Sequence, residues 1–238
     1  MPRPTRLVVL ALTASLVVAA RRPLARLART IDQRAGIFAP HGARLYSAVA
    51  PFLLRPLYRR VADDVASLRE SAAMPEISEI SEIAAMLELG SGPGELALEV
   101  AQRLLGIRIV GVDLAGTMVE TASARAGSAG LGDRVRFVLG DAAALPFGDE
   151  TFDVAVSTLS LHHWVEPESV FSEIGRVPRP GGVALVHDLR PFAYSRNDLE
   201  GFLAGGPFEA THLERDPVRL GPAPALFVRI RLIRPSAA

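Results

Sequence analysis

A chain of 238 residues, 49% hydrophobic and 22% charged, is long enough for one larger α/β domain with an extension, and too apolar to be disordered. It has no cysteine, and all 26 of its basic residues are arginine. Disulfides, thiolate metal sites, iron–sulfur clusters, a cysteine nucleophile, Schiff-base chemistry and a P-loop lysine are therefore excluded. The net charge is zero but unevenly placed: residues 1–60 carry 11 arginines against one acid, Asp32, leaving 15 arginines against 25 acids in the remainder. A basic head on an acidic body points to an anionic surface as the head's partner, and away from nucleic acid, which the body would repel.

Residues 7–20 (LVVLALTASLVVAA) run without a charge between Arg3 and Arg6 on one side and Arg21 and Arg22 on the other. As a helix this stretch spans roughly 21 Å against about 30 Å of hydrocarbon, which is short for a crossing. A secretory signal has the same basic start and apolar length, but arginines directly after it argue against export. A buried helix and residues upstream of the true start are the other readings. The expectation taken here for residues 1–30 is a helix at the boundary of an anionic membrane, with arginines reaching the head groups. The arginines that follow fit the positive-inside tendency, so a cytoplasmic body held on the cytosolic side is expected.

Residues 31–74 form a second expected unit, a helical lid or extension. Over 42–70, Leu45, Val49, Phe52, Leu53, Leu57, Val61, Val65 and Leu68 recur at helical spacing, interrupted by Pro51 and Pro56. The triplets of 75–83 (PEISEISEI) read as a linker or helix end. Within the third unit, 75–238, the pattern changes at residue 84. Strands are expected over 85–89, 107–112, 135–139, 152–157 and 183–188, and helices over 96–105, 118–126 and 170–177. Such alternation implies a parallel sheet with crossover helices. The tail is different, with two strands over 208–214 and 225–233 around Gly221-Pro222 and no helix between them. The expected fold class is α/β, a seven-stranded, mostly parallel sheet with an antiparallel last strand and helices on both faces.

The strongest chemical signal is LELGSGPGE (87–95), between a strand and a helix. Its glycines allow a tight turn and close approach to a ligand, and the following helix points free N–H groups at it. The spacing is G-x-G-x-G, with Glu95 where a dinucleotide-binding fingerprint wants its third glycine. Asp113 ends the second strand, where a carboxylate can accept from both ribose hydroxyls; the alternative is a helix N-cap. Asp141 follows the third strand, where it can accept an adenine amino group beside the Ala142 amide; the alternative is a turn aspartate.

The ordered set LELGSGPGE, VGVDLAGTMVETA, GDAAALPFGDETFD, STLSLHHW and RVPRPGGVALVHD resembles the class I S-adenosylmethionine-dependent methyltransferases. It is closest to the small-molecule branch, methyltransferase type 11-like, that includes quinone and sterol methylases. The resemblance covers about residues 82–190. It implies a Rossmann-like methyltransferase fold, S-adenosyl-L-methionine as cofactor and no metal. It assigns Glu88, Gly90, Ser91, Gly92 and Gly94 to the methionine end, Asp113 to the ribose, Asp141 and Ala142 to the adenine, and the backbone around Ser157 and Thr158 to the methionine ammonium. Pro178 departs from the leucine usual before the basic-Pro-Gly-Gly turn. His162 and His163 follow the fourth strand at the ligand-binding edge, where a histidine can deprotonate an acceptor or line its pocket; packing or capping is the alternative. Trp164 is expected to wall that pocket, and His41, Tyr46 and Tyr58 to contribute to a lid. Methylation of a small-molecule, lipid-like acceptor is the function expected. A nucleotide-cofactor oxidoreductase and a non-catalytic S-adenosylmethionine-binding module are the rivals.

Overall fold

The computed structural model describes residues 54–68, 84–204, 206, 213–222 and 224–235. The expectations for residues 1–30, for His41 and Tyr46, and for the linker at 75–83 lie outside these residues. Among the described residues no helix is long and apolar enough to cross a membrane.

Helix α1 spans 54–68. It is followed by β1 (Ala84–Leu89), α2 (Glu95–Arg103), β2 (Ile107–Asp113), α3 (Gly116–Ser128), β3 (Val135–Leu139) and β4 (Phe152–Thr158). After a 3-10 turn at Leu161–His163 come α4 (Pro167–Arg176), β5 (Pro178–Leu189), α5 (Arg196–Leu203), β6 (Leu213–Val218) and β7 (Phe227–Ile233). The seven strands form one sheet in the order β3-β2-β1-β4-β5-β7-β6. Every pair from β3 to β5 is parallel, and β7 runs antiparallel to both β5 and β6. The expected α/β class and antiparallel last strand are both present.

Alternating side chains divide the core into two layers. Leu57, Val61 and Val65 of α1, with Leu96 and Val100 of α2, pack on Met86, Val154, Val156, Val183 and Leu185. On the other face Phe171 and Ile174 of α4 and Leu199 and Leu203 of α5 cover Leu87, Leu89, Ala184 and Val186. Tyr58, expected in a lid, is buried in the first layer, and Trp164, expected to wall a pocket, is buried in the second against Phe171 at 5.5 Å.

Helix α5 has no counterpart in the sequence reading, α4 begins three residues before the expected 170, and two strands differ as well. Strand β5 begins at Pro178, so the Pro-Arg-Pro-Gly-Gly run is the start of a strand and not a turn, with Pro178 opposite Phe152. Of the penultimate strand expected over 208–214, residues 208–212 lie outside the described residues; the described strand β6 is Leu213–Val218, ending four residues beyond the expected end. This segment (LERDPV) escapes hydrophobic patterning because it is an edge strand. It tolerates Pro217, and its charges pair along β7, Glu214 with Arg231 and Asp216 with Arg229.

Gly111 sits in the middle of β2 opposite Phe137 of β3. A Cβ there would lie 2.4 Å from Phe137 Cδ1 and 2.9 Å from Ser91 Cβ. Gly111→Ala should therefore cost about 1–3 kcal/mol through overpacking, read as a lower denaturant midpoint with an unchanged slope. An unchanged midpoint would mean that the Phe137 ring moves aside freely.

Candidate active site

The sheet reverses its winding between β1 and β4, the strands that flank the crevice where open α/β sheets bind ligands. At the carboxyl end of β1 the loop 90–94 turns through three glycines with positive φ, 65° at Gly90, 51° at Gly92 and 81° at Gly94. Gly92 has nothing within 4 Å of where a Cβ would stand, so it faces open space at the mouth of the crevice.

Asp113 ties this loop to the end of β2. Its Oδ2 accepts from the Gly92 N–H at 2.7 Å, and its Oδ1 from the Ala115 N–H at 2.9 Å, at the start of α3. The N-cap of α3 is Ala115, without a side-chain cap bond, so Asp113 is not the helix cap of the alternative reading; it braces the loop against the residue that precedes the helix. Burial pushes Asp113 up against the lowering effect of those two amides.

Glu88 is 3% exposed, and its Oε2 has no hydrogen-bond partner. Burial pushes its carboxyl well above the ordinary glutamate range. The Ala97 amide opposes this, and the Asp113 and Glu95 carboxylates add to it. Ser91 Oγ, Ser157 Oγ and Thr158 Oγ1 are also buried without partners. Four unpaired polar atoms around one crevice are the donors and acceptors that a polar ligand would satisfy. Asp141 is exposed, and it folds its own turn: Oδ1 accepts from the Ala143 N–H at 2.9 Å and its carbonyl from the Ala144 N–H at 3.1 Å. Ala142 lies within this turn, half-buried.

The structure separates the two histidines that the sequence left equivalent. His162 Nδ1 lies 2.9 Å from both oxygens of Asp188, a residue of β5 with no exposed surface, and the His162 amide donates to Asp188 Oδ2 at 3.1 Å. An ionised carboxylate only accepts, so Nδ1 carries a proton here, and in the neutral ring that places the lone pair on Nε2. His163 is exposed, with its ring 4.0 Å from that of His162. Phe192 stacks on His162 at 5.2 Å. Asp188 was missed in the sequence because an acid closing an apolar strand has no local signature. Leu114 and Leu139 were missed as well. They are 74% and 63% exposed at the ends of β2 and β3.

A family model described as a methyltransferase domain matches residues 87–186. Over these residues the chain is similar to methyltransferase domains. The chain is 36% identical over 111 residues to a sterol 4-C-methyltransferase of Caenorhabditis elegans, covering 47% of this chain and 33% of that protein. It is 37% identical over 106 residues to a demethylmenaquinone methyltransferase of Thermus thermophilus, covering 44% of this chain and 47% of that protein. The match thus spans between a third and a half of the length of these relatives. The fold of the chain is shared with a candidate S-adenosyl-L-methionine-dependent methyltransferase of Methanococcus maripaludis. That structure has a TM-score of 0.62 and 19% identity, over 83% of this chain and 94% of that one.

Because the folded protein holds Glu88 more readily as the neutral acid than the unfolded chain does, Glu88 favours folding at low pH. That contribution is lost as pH rises through its elevated folded value. Glu88→Gln should flatten the fall in ligand-free stability between pH 5 and pH 8, measured by urea titration. Equal pH dependence in both proteins would show that Glu88 is ionised without penalty.

Proposed function

We propose that the chain transfers the methyl group of S-adenosylmethionine to a small-molecule, lipid-like acceptor, with His162 as the general base. The observation that carries the cofactor half is the sign of the charge at the crevice. Glu88, Glu95 and Asp113 lie together at the glycine loop, where a dinucleotide would bring its anionic pyrophosphate. Negative charge is already costly there, so the pyrophosphate is disfavoured, whereas the sulfonium and ammonium of S-adenosylmethionine would favour ionisation of Glu88 and Asp113. This favours methyl transfer over the oxidoreductase reading. The unpaired Glu88, Ser91, Ser157 and Thr158 atoms suit the methionine end, Asp113 the ribose, and the Asp141 carboxylate the adenine amino group. Exposed Leu114 and Leu139 offer apolar faces for the adenine ring.

The cofactor supplies an activated methyl for in-line displacement, and the protein's task is alignment and exclusion of water. The pairing of His162 with Asp188 adds proton abstraction at Nε2. That favours an acceptor whose attacking atom must lose a proton, and it argues against a module that only binds the cofactor. The lipid-like character of the acceptor is supported by the sterol and quinone methyltransferases among the relatives and by the aromatic surface of Phe192 beside His162.

The two halves separate by mutation. Asp113→Ala should weaken binding of labelled S-adenosylmethionine in equilibrium dialysis by about 1.5–3 kcal/mol, the loss of bonds to a charged group. His162→Gln should leave that binding unchanged and slow methyl transfer to acceptors in a lipid extract by about 10²–10⁴-fold. Cofactor binding by Asp113→Ala equal to that of the parent would place the ribose elsewhere. Undiminished transfer by His162→Gln would remove the base.

A further inference from the structure

The end of β5 carries two consecutive residues whose side chains point to opposite faces of the sheet and are both committed to polar partners. Asp188 faces the layer of α4 and α5 and holds His162. His187 faces α1, and its Nε2 lies 3.2 Å from Asp64 Oδ2. His187 has no exposed surface, and Asp64 is 8% exposed. The charged groups around Asp64 come from its own helix and from β7. Arg60 Nε lies 3.1 Å from Oδ1, and Arg229 lies 3.4 Å from it, itself held by Asp216 of β6 at 3.0 Å. Burial pushes Asp64 up, but the hydrogen bond and charge of His187, with Arg60 and Arg229, outweigh it and hold the carboxyl below its usual range. Burial, aided by Arg229 and Arg60, pushes His187 down. The clasp is therefore a neutral imidazole donating to a carboxylate that is also paired with two arginines.

The same strand end fixes the turn that bears His162. The His187 carbonyl accepts from the Leu159 N–H at 2.8 Å. Leu159 has φ 58°, a left-handed conformation that a leucine adopts only when its surroundings impose it. Asp188 then takes both the amide and the ring of His162. Three bonds from two residues of β5 thus set the path of residues 159–162, and the far side of that strand end is gripped by α1.

We propose that Asp64 is a positioning residue: by gripping His187 from helix α1 it sets the end of β5, and with it the strained turn and the orientation of His162 on Asp188. Packing of the first helix is thereby tied to formation of the base. This rests on the reading of His162 as the base, and the test distinguishes failure of the two. Full-length protein labelled with 15N-histidine reports the ring tautomer of His162 directly, with His162→Gln providing the assignment. The parent should show the Nδ1–H form at high pH, and Asp188→Asn should lose it. Asp64→Asn, which keeps the side-chain shape but weakens the clasp, should reduce the Nδ1–H share at least twofold while binding of S-adenosylhomocysteine stays within about twofold of the parent. His187→Ala breaks the clasp from the strand side and should do the same, which keeps the test open if one variant fails to fold. A merely structural clasp would lower the melting point of these variants and leave the tautomer alone. Retention of the parental tautomer in either folded clasp variant overturns the proposal, and if Asp188→Asn loses the tautomer in that case, the base reading survives. Retention in Asp188→Asn overturns both.

Discussion

The buried carboxylate of Asp113 is the constraint on which the crevice depends. One oxygen takes an amide from the glycine loop and the other takes an amide from the start of α3, so a single side chain fixes the loop relative to the helix that follows β2. The Ser91 amide adds a third tie, donating to the Val112 carbonyl at 3.0 Å. A loop with three left-handed glycines has high conformational entropy when free. Bonds to a buried carboxylate, stronger than those between neutral groups, are what hold it in one shape.

That arrangement has an electrostatic consequence. Asp113 and Glu88 are both pushed up by burial, and the Asp113 charge further opposes ionisation of Glu88. Glu95 adds to the same field, although it is ion-paired with Arg125. The ligand-free crevice is thus a place where negative charge is costly, and a cation would relieve it. The glycine loop alone is compatible with several nucleotide cofactors; the acids around it narrow the choice to one that arrives with positive charge.

Most of the sheet was legible because the sequence alternates apolar runs with helical periodicity from residue 84 onward, and each strand from β1 to β4 lies within a residue or two of where that pattern puts it. The exceptions have physical reasons. Edge strand β6 carries Pro217 and three charged residues, so its position is set by pairing with β7 and not by burial. The start of β5 contains two prolines and two glycines, which read as a turn until β4 and the tail are seen to flank it. Glu88, the glycine loop and Asp113, which the structure brings together, stand out in the sequence because they lie at strand ends, whereas Asp141 is seen folding its own turn. His162 and His163 were not separable, because the choice between them rests on Asp188, 26 residues away, reached only through the pairing of β4 with β5. The part played by Asp64 was invisible for the same reason, since its partner His187 is 123 residues distant.

The central claim is that the charge of the crevice selects S-adenosylmethionine over a dinucleotide. Calorimetric titration of the full chain with S-adenosylhomocysteine and, separately, with NAD at the same pH and ionic strength tests it directly. The account predicts saturable one-to-one binding of S-adenosylhomocysteine, whose ammonium meets the acidic crevice, and no measurable heat with NAD. Saturable binding of NAD, with none of S-adenosylhomocysteine, would contradict it.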